Sequence, residues 1–129
     1  MPKILIIEDE KLLGELYKDK LEDEGIEADL VFSAEEALEY LKNKKPPDLI
    51  LLDILLPGEN GISFLKEIKE NKDIPDIPVV AFSNYDEPRA KAEAFKLGVK
   101  AYLLKAKYTP KEMVEAIKNF IYSASDEQS

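Results

Sequence analysis

At 129 residues, 45% of them hydrophobic, the chain has enough sequence for one domain with a buried core and too little for two. A formal net charge of -9 with a single arginine, Arg89, offers no basic cluster to grip a nucleic-acid backbone, and no apolar run approaches the ~20 residues of a membrane span. The absence of cysteine removes disulfide and thiol chemistry, and Met1-Pro2-Lys3 leads directly into a strand, so no signal peptide and a cytoplasmic location are expected.

The first element is a strand, Ile4-Leu5-Ile6-Ile7, running into Glu8-Asp9. Leu12, Leu13, Leu16, Tyr17 and Leu21 then recur at helical spacing, and Gly25 suits the left-handed residue that stops a helix. A mixed strand near Glu27 to Phe32, with Asp29 inside it, fits a sheet edge. Ser33-Ala34-Glu35-Glu36 is a capping box that opens a helix to about Asn43, with Ala37, Leu38 and Leu41 inward. Pro46-Pro47 breaks the chain before a third strand, Leu49 to Leu52, which runs into Asp53. A loop from Ile54 to Asn60 carries Pro57 and Gly58, and Gly61 starts a helix with Ile62, Leu65 and Ile68 on one face.

Pro75 and Pro78 frame a fourth strand, Val79 to Phe82, which runs into Ser83. A fourth helix is expected from about Asp86 to Leu97, ending at Gly98, with a small inward face of Ala90, Ala94 and Leu97. The fifth strand, Ala101 to Leu104, runs into Lys105, which enters no helix at once. Thr109-Pro110-Lys111-Glu112 is a second capping box, and the last helix carries Met113, Ile117, Phe120 and Ile121. Residues 1–122 form the domain, and Ser123 to Ser129 reads as a frayed polar tail.

Strict alternation of short apolar strands and helices implies a parallel sheet covered on both faces. The expected fold class is α/β, a flavodoxin-like doubly wound five-stranded parallel sheet in order 2-1-3-4-5 with five helices. Ligands of such sheets bind at the carboxyl ends of the strands, and the switch point lies between strands one and three. Glu8, Asp9 and Asp53 fall at those two strand ends, with Ser83 and Lys105 at the next two. Three neighbouring carboxylates raise each other's proton affinity, and a hard divalent cation such as Mg2+ relieves the conflict. Taken singly, Glu8-Asp9 reads as a helix cap, Asp53 as a turn former, Ser83 as a loop hydroxyl and Lys105 as a surface charge. Their convergence on one crevice favours phosphoryl chemistry: cations and donors stabilise the equatorial oxygens while a carboxylate serves as nucleophile. Having no histidine, the chain cannot itself carry phosphohistidine.

These residues resemble the receiver domain of two-component response regulators over nearly the whole chain. The resemblance rests on Glu8-Asp9, the Asp53-x-x-x-Pro57 loop with Gly61, Ser83 and Lys105. It implies a regulatory phosphoacceptor, not an enzyme, that assists its own phosphorylation and dephosphorylation. Asp53 would take a phosphoryl group from the phosphohistidine of a partner histidine kinase or phosphotransfer protein. Asp9, Asp53 and the backbone carbonyl of Leu55 would ligate Mg2+, with Glu8 acting through water. Ser83 and Lys105 would hold the phosphoryl oxygens. Tyr102 matches the family's rotating aromatic switch; its bland reading is a half-buried strand aromatic. Ser83, the loop after it, helix four and Tyr102 would move, altering contacts with an unidentified downstream protein. A monomer or a phosphorylation-dependent dimer is expected.

The sequence departs from the family in two places. The acidic pair is Glu-Asp, where Asp-Asp is commoner. Ala106 stands where many receivers have proline, so the Lys105-Ala106 bond is expected to be trans, the loop to Thr109 altered and Lys105 less direct in its reach to Asp53. Tyr102-Leu103-Leu104-Lys105 is closer to the subgroup joined to helix-turn-helix outputs; here a stand-alone receiver is expected. A flavodoxin-like electron carrier would need a hydroxyl- and glycine-rich loop after strand one, where Glu8-Asp9-Glu10 stands. A haloacid-dehalogenase-type phosphatase needs two aspartates two residues apart on strand one. The remaining alternative is a receiver-shaped interaction module that works without phosphorylation.

Overall fold

The computed structural model describes residues 2–56, 58 and 60–128, with side chains as far as 122. Strands β1 (Lys3–Ile7), β2 (Glu27–Val31), β3 (Leu49–Leu52), β4 (Val79–Ser83) and β5 (Ala101–Leu104) alternate with helices α1 (Lys11–Asp23), α2 (Ala34–Asn43), α3 (Gly61–Glu70), α4 (Pro88–Lys96) and α5 (Pro110–Gln128). The strands form one parallel sheet in the expected order, β2-β1-β3-β4-β5. Pro57 of the expected loop lies outside the described residues. The frayed tail expected from Ser123 falls where α5 continues in helical backbone to Gln128.

Strand periodicity sorts the core into two layers. Leu5, Ile7, Ile50, Leu52 and Ala81 face α2, α3 and α4, where Leu41, Phe64, Leu65 and Ala94 close the first layer. Ile4, Ile6, Leu49, Leu51, Val80 and Phe82 face α1 and α5, where Tyr17, Leu21, Met113 and Ile117 close the second. Phe82 lies edge-on to both Tyr17 and Tyr108, with ring centroids 5.3 and 6.1 Å away. Complete burial of one such aliphatic or aromatic side chain is worth about 1.5–3 kcal/mol. The central strands are therefore the most deeply buried part of the molecule.

Two local expectations change, and the apolar residues of α1 do not all face inward. Leu12 and Leu16 share the helical spacing of α1 but stand outward, Leu12 at 83% exposure, because the buried stripe runs through Gly14, Tyr17 and Leu21. Helix α4 begins at Pro88, two residues after the expected Asp86. Proline takes the first helical position and the Glu87 carboxylate accepts the Ala90 N–H at 2.9 Å. Lys105 does enter a helix at once, a 3-10 turn over Lys105–Lys107.

The acidic residue in the edge strand is neutralised locally. The Tyr40 hydroxyl donates to Asp29 Oδ2 at 2.5 Å, and Lys3 Nζ approaches the same oxygen at 3.1 Å. These contacts, the Tyr40 hydroxyl first, hold the Asp29 carboxyl below its ordinary range. A depressed folded-state pKa contributes stability above the unfolded value that is lost as pH falls through the folded one. Tyr40→Phe is expected to cost about 1 kcal/mol near pH 7, as a half-exposed charge-assisted hydrogen bond does. Chemical denaturation at several pH values should show the deficit shrinking only as pH falls below the ordinary aspartate range and on through the lower value at which folded Asp29 takes up its proton.

Candidate functional site

Sheet register brings the site together. Ile7 pairs with Leu52, so the next residues, Glu8 and Asp53, leave the sheet side by side. The Glu8 N–H donates to the Val31 carbonyl at 3.1 Å and the Asp53 N–H to the Ile7 carbonyl at 3.0 Å, which fixes both backbones. Ser83 pairs with Leu104 across β4 and β5, so Lys105 leaves the sheet beside the end of β4.

Lys105 spans the crevice. Its ammonium donates to Glu8 Oε1 at 2.5 Å and to Asp53 Oδ2 at 2.9 Å. The three side chains are 9%, 3% and 7% exposed, so the charges are enclosed together. The Lys105-Ala106 bond is trans, as expected. The expectation that Lys105 would reach Asp53 less directly is overturned: the 3-10 turn after β5 lets the ammonium reach Asp53 without a proline at position 106. Ala106 is anchored instead by Asn84, whose Oδ1 accepts its N–H at 3.1 Å. Sequence reasoning missed Asn84, which has no signal apart from following Ser83.

Burial pushes the Glu8 carboxyl above its ordinary range, against the pull of the Lys105 ammonium. Burial alone would lower Lys105, but its bonds to Asp53 and Glu8 outweigh that and raise it. The other oxygens of the two carboxylates are also engaged. Glu8 Oε2 accepts the Glu10 N–H at 3.1 Å, and Asp53 Oδ1 accepts the Leu55 N–H at 3.1 Å. Asp9 is exposed, yet one oxygen from each of Glu8, Asp9 and Asp53 falls within 4.8 Å of the others. Three hard oxygen donors at that spacing fit a small divalent cation.

Gly61 shapes the loop that carries Asp53. Its N–H donates to the Ile54 carbonyl at 2.8 Å, and Asn60 caps α3 by accepting the Ser63 N–H at 2.9 Å. A Cβ at position 61 would lie 2.8 Å from Ile54 Cα and 3.0 Å from the Asp53 carbonyl oxygen, both backbone atoms. Gly61→Ala is therefore expected to cost about 1–3 kcal/mol in thermal or chemical unfolding. It should also shift the Leu55 amide resonance, because the loop must move away from α3.

Ser83 is fully buried, and its Oγ accepts the Tyr85 N–H at 3.2 Å. Tyr102 lies half-buried on β5 and donates its hydroxyl to the Tyr85 carbonyl at 2.6 Å. Lys91 Nζ stands 5.9 Å from the Tyr102 ring centroid and pairs with Asp86. Burial, reinforced by the negative charge of Asp53, pushes the Tyr102 phenol up to about 12, so it remains a donor at neutral pH.

The response regulator receiver domain model matches residues 4–118. The chain is 36% identical over 120 residues to the transcriptional regulatory protein BaeR of Escherichia coli O6:H1, covering 93% of this chain and 48% of BaeR. It is 32% identical to the polar-differentiation response regulator DivK of Brucella anthropi, covering 96% of this chain and 100% of DivK. The structure of the phosphorylated cyanobacterial phytochrome response regulator RcpA superposes with a TM-score of 0.82 at 29% identity, covering 95% of each chain. The chain thus spans about half the length of BaeR.

Proposed function

The chain belongs to the response regulator receiver domain family, and from that premise we propose that it is a phosphoacceptor switch whose nucleophile is Asp53. The observation that carries this is the Lys105 ammonium held between two buried carboxylates at the sheet's switch point. RcpA, which shares the fold, is phosphorylated in its structure. In this chain an Asp53 oxygen attacks the phosphorus of a phosphohistidine on a partner histidine kinase or phosphotransfer protein. The P–N bond breaks, its electron pair stays on the imidazole nitrogen, and Asp53 becomes an acyl phosphate.

Lys105, already 2.9 Å from Asp53, follows the charge onto a phosphoryl oxygen. Ser83 Oγ accepts from Tyr85, which leaves its own proton to donate to a second oxygen. A switch then runs through Tyr102, which loses the Tyr85 carbonyl as the loop after Ser83 follows the phosphoryl group. The surface around α4 and β5 changes, and a downstream protein reads it. Dephosphorylation reverses the sequence with help from the same residues, so the role is regulatory. The setting is the cytoplasm, as a monomer or a phosphorylation-dependent dimer.

The acidic trio fits Mg2+. Asp9, Asp53 and the Leu55 carbonyl would hold the ion, and Glu8 would act through water. When bound, it supplies charge neutralisation at the phosphoryl oxygens.

Incubation with acetyl phosphate and Mg2+ is expected to raise the intact mass by one phosphoryl group, stable in acid and lost in base. Chelation of the metal should prevent the gain. An unchanged mass under both conditions would defeat the proposal and leave an interaction module that works without phosphorylation.

A further inference from the structure

Beyond the acceptor site itself, the structure contains a device that sets how readily the cation enters. We propose that Glu8 is a positioning residue that clamps Lys105 inside the crevice, making the lysine a built-in competitor of the divalent cation. The inference rests on the reading above that Mg2+ binds among these carboxylates.

The hydrogen bonds argue for a clamp. Glu8 Oε1 takes the Lys105 ammonium and Oε2 takes the Glu10 N–H, so both carboxylate oxygens are already engaged. Asp53 Oδ2 takes the same ammonium. Of the trio, only Asp9 is exposed to solvent, while Glu8 and Asp53 are buried around the lysine. An incoming cation therefore meets a crevice in which one of three negative charges is already neutralised from within. To take full value from Asp53 and Glu8 it must displace a buried ammonium from two short hydrogen bonds.

Side-chain length makes the clamp specific. Glu8 and Lys105 lie 97 residues apart and meet across the width of β3 and β4. An aspartate at position 8 would carry the same charge on a side chain shorter by one carbon–carbon bond, about 1.5 Å. It would keep the anionic character of the site and lose its hold on Lys105. The charge-conserving change Glu8→Asp therefore separates the clamp from simple electrostatics, because a merely electrostatic Glu8 is unaffected by it.

The experiment is calorimetric titration with MgCl2 at constant ionic strength on the wild type, Glu8→Asp, Lys105→Met and the double variant. Glu8→Asp is expected to tighten Mg2+ binding roughly three- to tenfold, the net scale of one ordinary hydrogen bond removed from the competing ammonium. In the Lys105→Met background the same substitution should change affinity less than about twofold, since no lysine remains to release. Equal or weaker binding in Glu8→Asp, or an undiminished gain without Lys105, overturns the clamp while leaving the cation site standing. No Mg2+ binding by any folded variant overturns the cation reading and the clamp together. A metal-free measurement covers the case in which Lys105→Met does not fold. The Lys105 ammonium protons should be slow-exchanging in 15N-resolved spectra of the wild type and fast in Glu8→Asp. Unchanged protection in Glu8→Asp would equally overturn the clamp.

Discussion

Phosphoryl incorporation from acetyl phosphate is expected to fall to background in Asp53→Asn, with the fold retained. The amide that replaces the carboxylate is not a nucleophile, so the acyl phosphate cannot form. The substitution keeps the shape of a side chain that is 7% exposed. An amide oxygen can still accept from Lys105, whose other partner, Glu8, is untouched. Removing one of two buried carboxylates relieves repulsion in the metal-free protein, so stability should stay within about 1 kcal/mol of the wild type. Mass spectrometry of the labelled and mock-treated variant checks the first expectation, and a denaturant unfolding curve checks the second. Labelling equal to the wild type would transfer the nucleophile to another carboxylate, Asp9 first.

Lys105→Met should be the most destabilising single change in the site, costing about 3 kcal/mol in the metal-free protein at neutral pH. Removal of the ammonium leaves Glu8 and Asp53 adjacent and uncompensated, and broken buried ion pairs cost about that much. From the sequence alone, Lys105 would be expected to matter for the response more than for the fold. Its second bond, to Glu8, changes that balance. In the wild type the raised Lys105 pKa means that its contribution is fully present below the ordinary lysine value and lost only as pH rises through the folded one. In the variant the deficit should narrow as pH falls, because Glu8, already pushed up by burial and now without the ammonium that opposes it, takes up a proton. Denaturant titrations at three pH values measure this. A deficit independent of pH would mean that lost packing of the lysine stem, not charge, is responsible.

The sheet was legible because its strands are unbroken apolar runs bounded by polar residues. Ile4 to Ile7, Leu49 to Leu52 and Ala101 to Leu104 could be located by composition, and alternation with helices implied the order. The positions of Glu8, Asp9, Asp53, Ser83 and Lys105 followed from strand ends alone. Side-chain pairing did not. Nothing in the sequence links Lys105 to Glu8, because the bond depends on reach across β3 and β4 and on a 3-10 turn that begins at the lysine itself. Asn84 was illegible for the same reason: its Oδ1 serves a backbone amide 22 residues away. The outward placement of Leu12 and Leu16 shows another limit. Apolar residues at helical spacing define a helix, but which stripe is buried depends on the sheet beneath it. The start of α4 was placed two residues early, at Asp86, although Pro88 carried the signal for the first helical position.

The long loop closed by Lys105 has a consequence for how the molecule comes into being. Chain between β1 and β3 can pair early, and it sets two acidic side chains next to each other with no counter-charge. Their neutralising partner sits at the end of β5, an edge strand that pairs with β4. A nascent chain or a partly opened one that lacks β5 thus carries a repulsive acidic knot where the native protein has a satisfied triad. Docking of the last strand discharges it. Loss of that strand from the native state restores it, so the electrostatics of the crevice act as a restoring force on the sheet edge. The residues proposed to take and hold a phosphoryl group also tie the end of the last strand to β1 and β3, so opening at that edge would part Lys105 from both carboxylates.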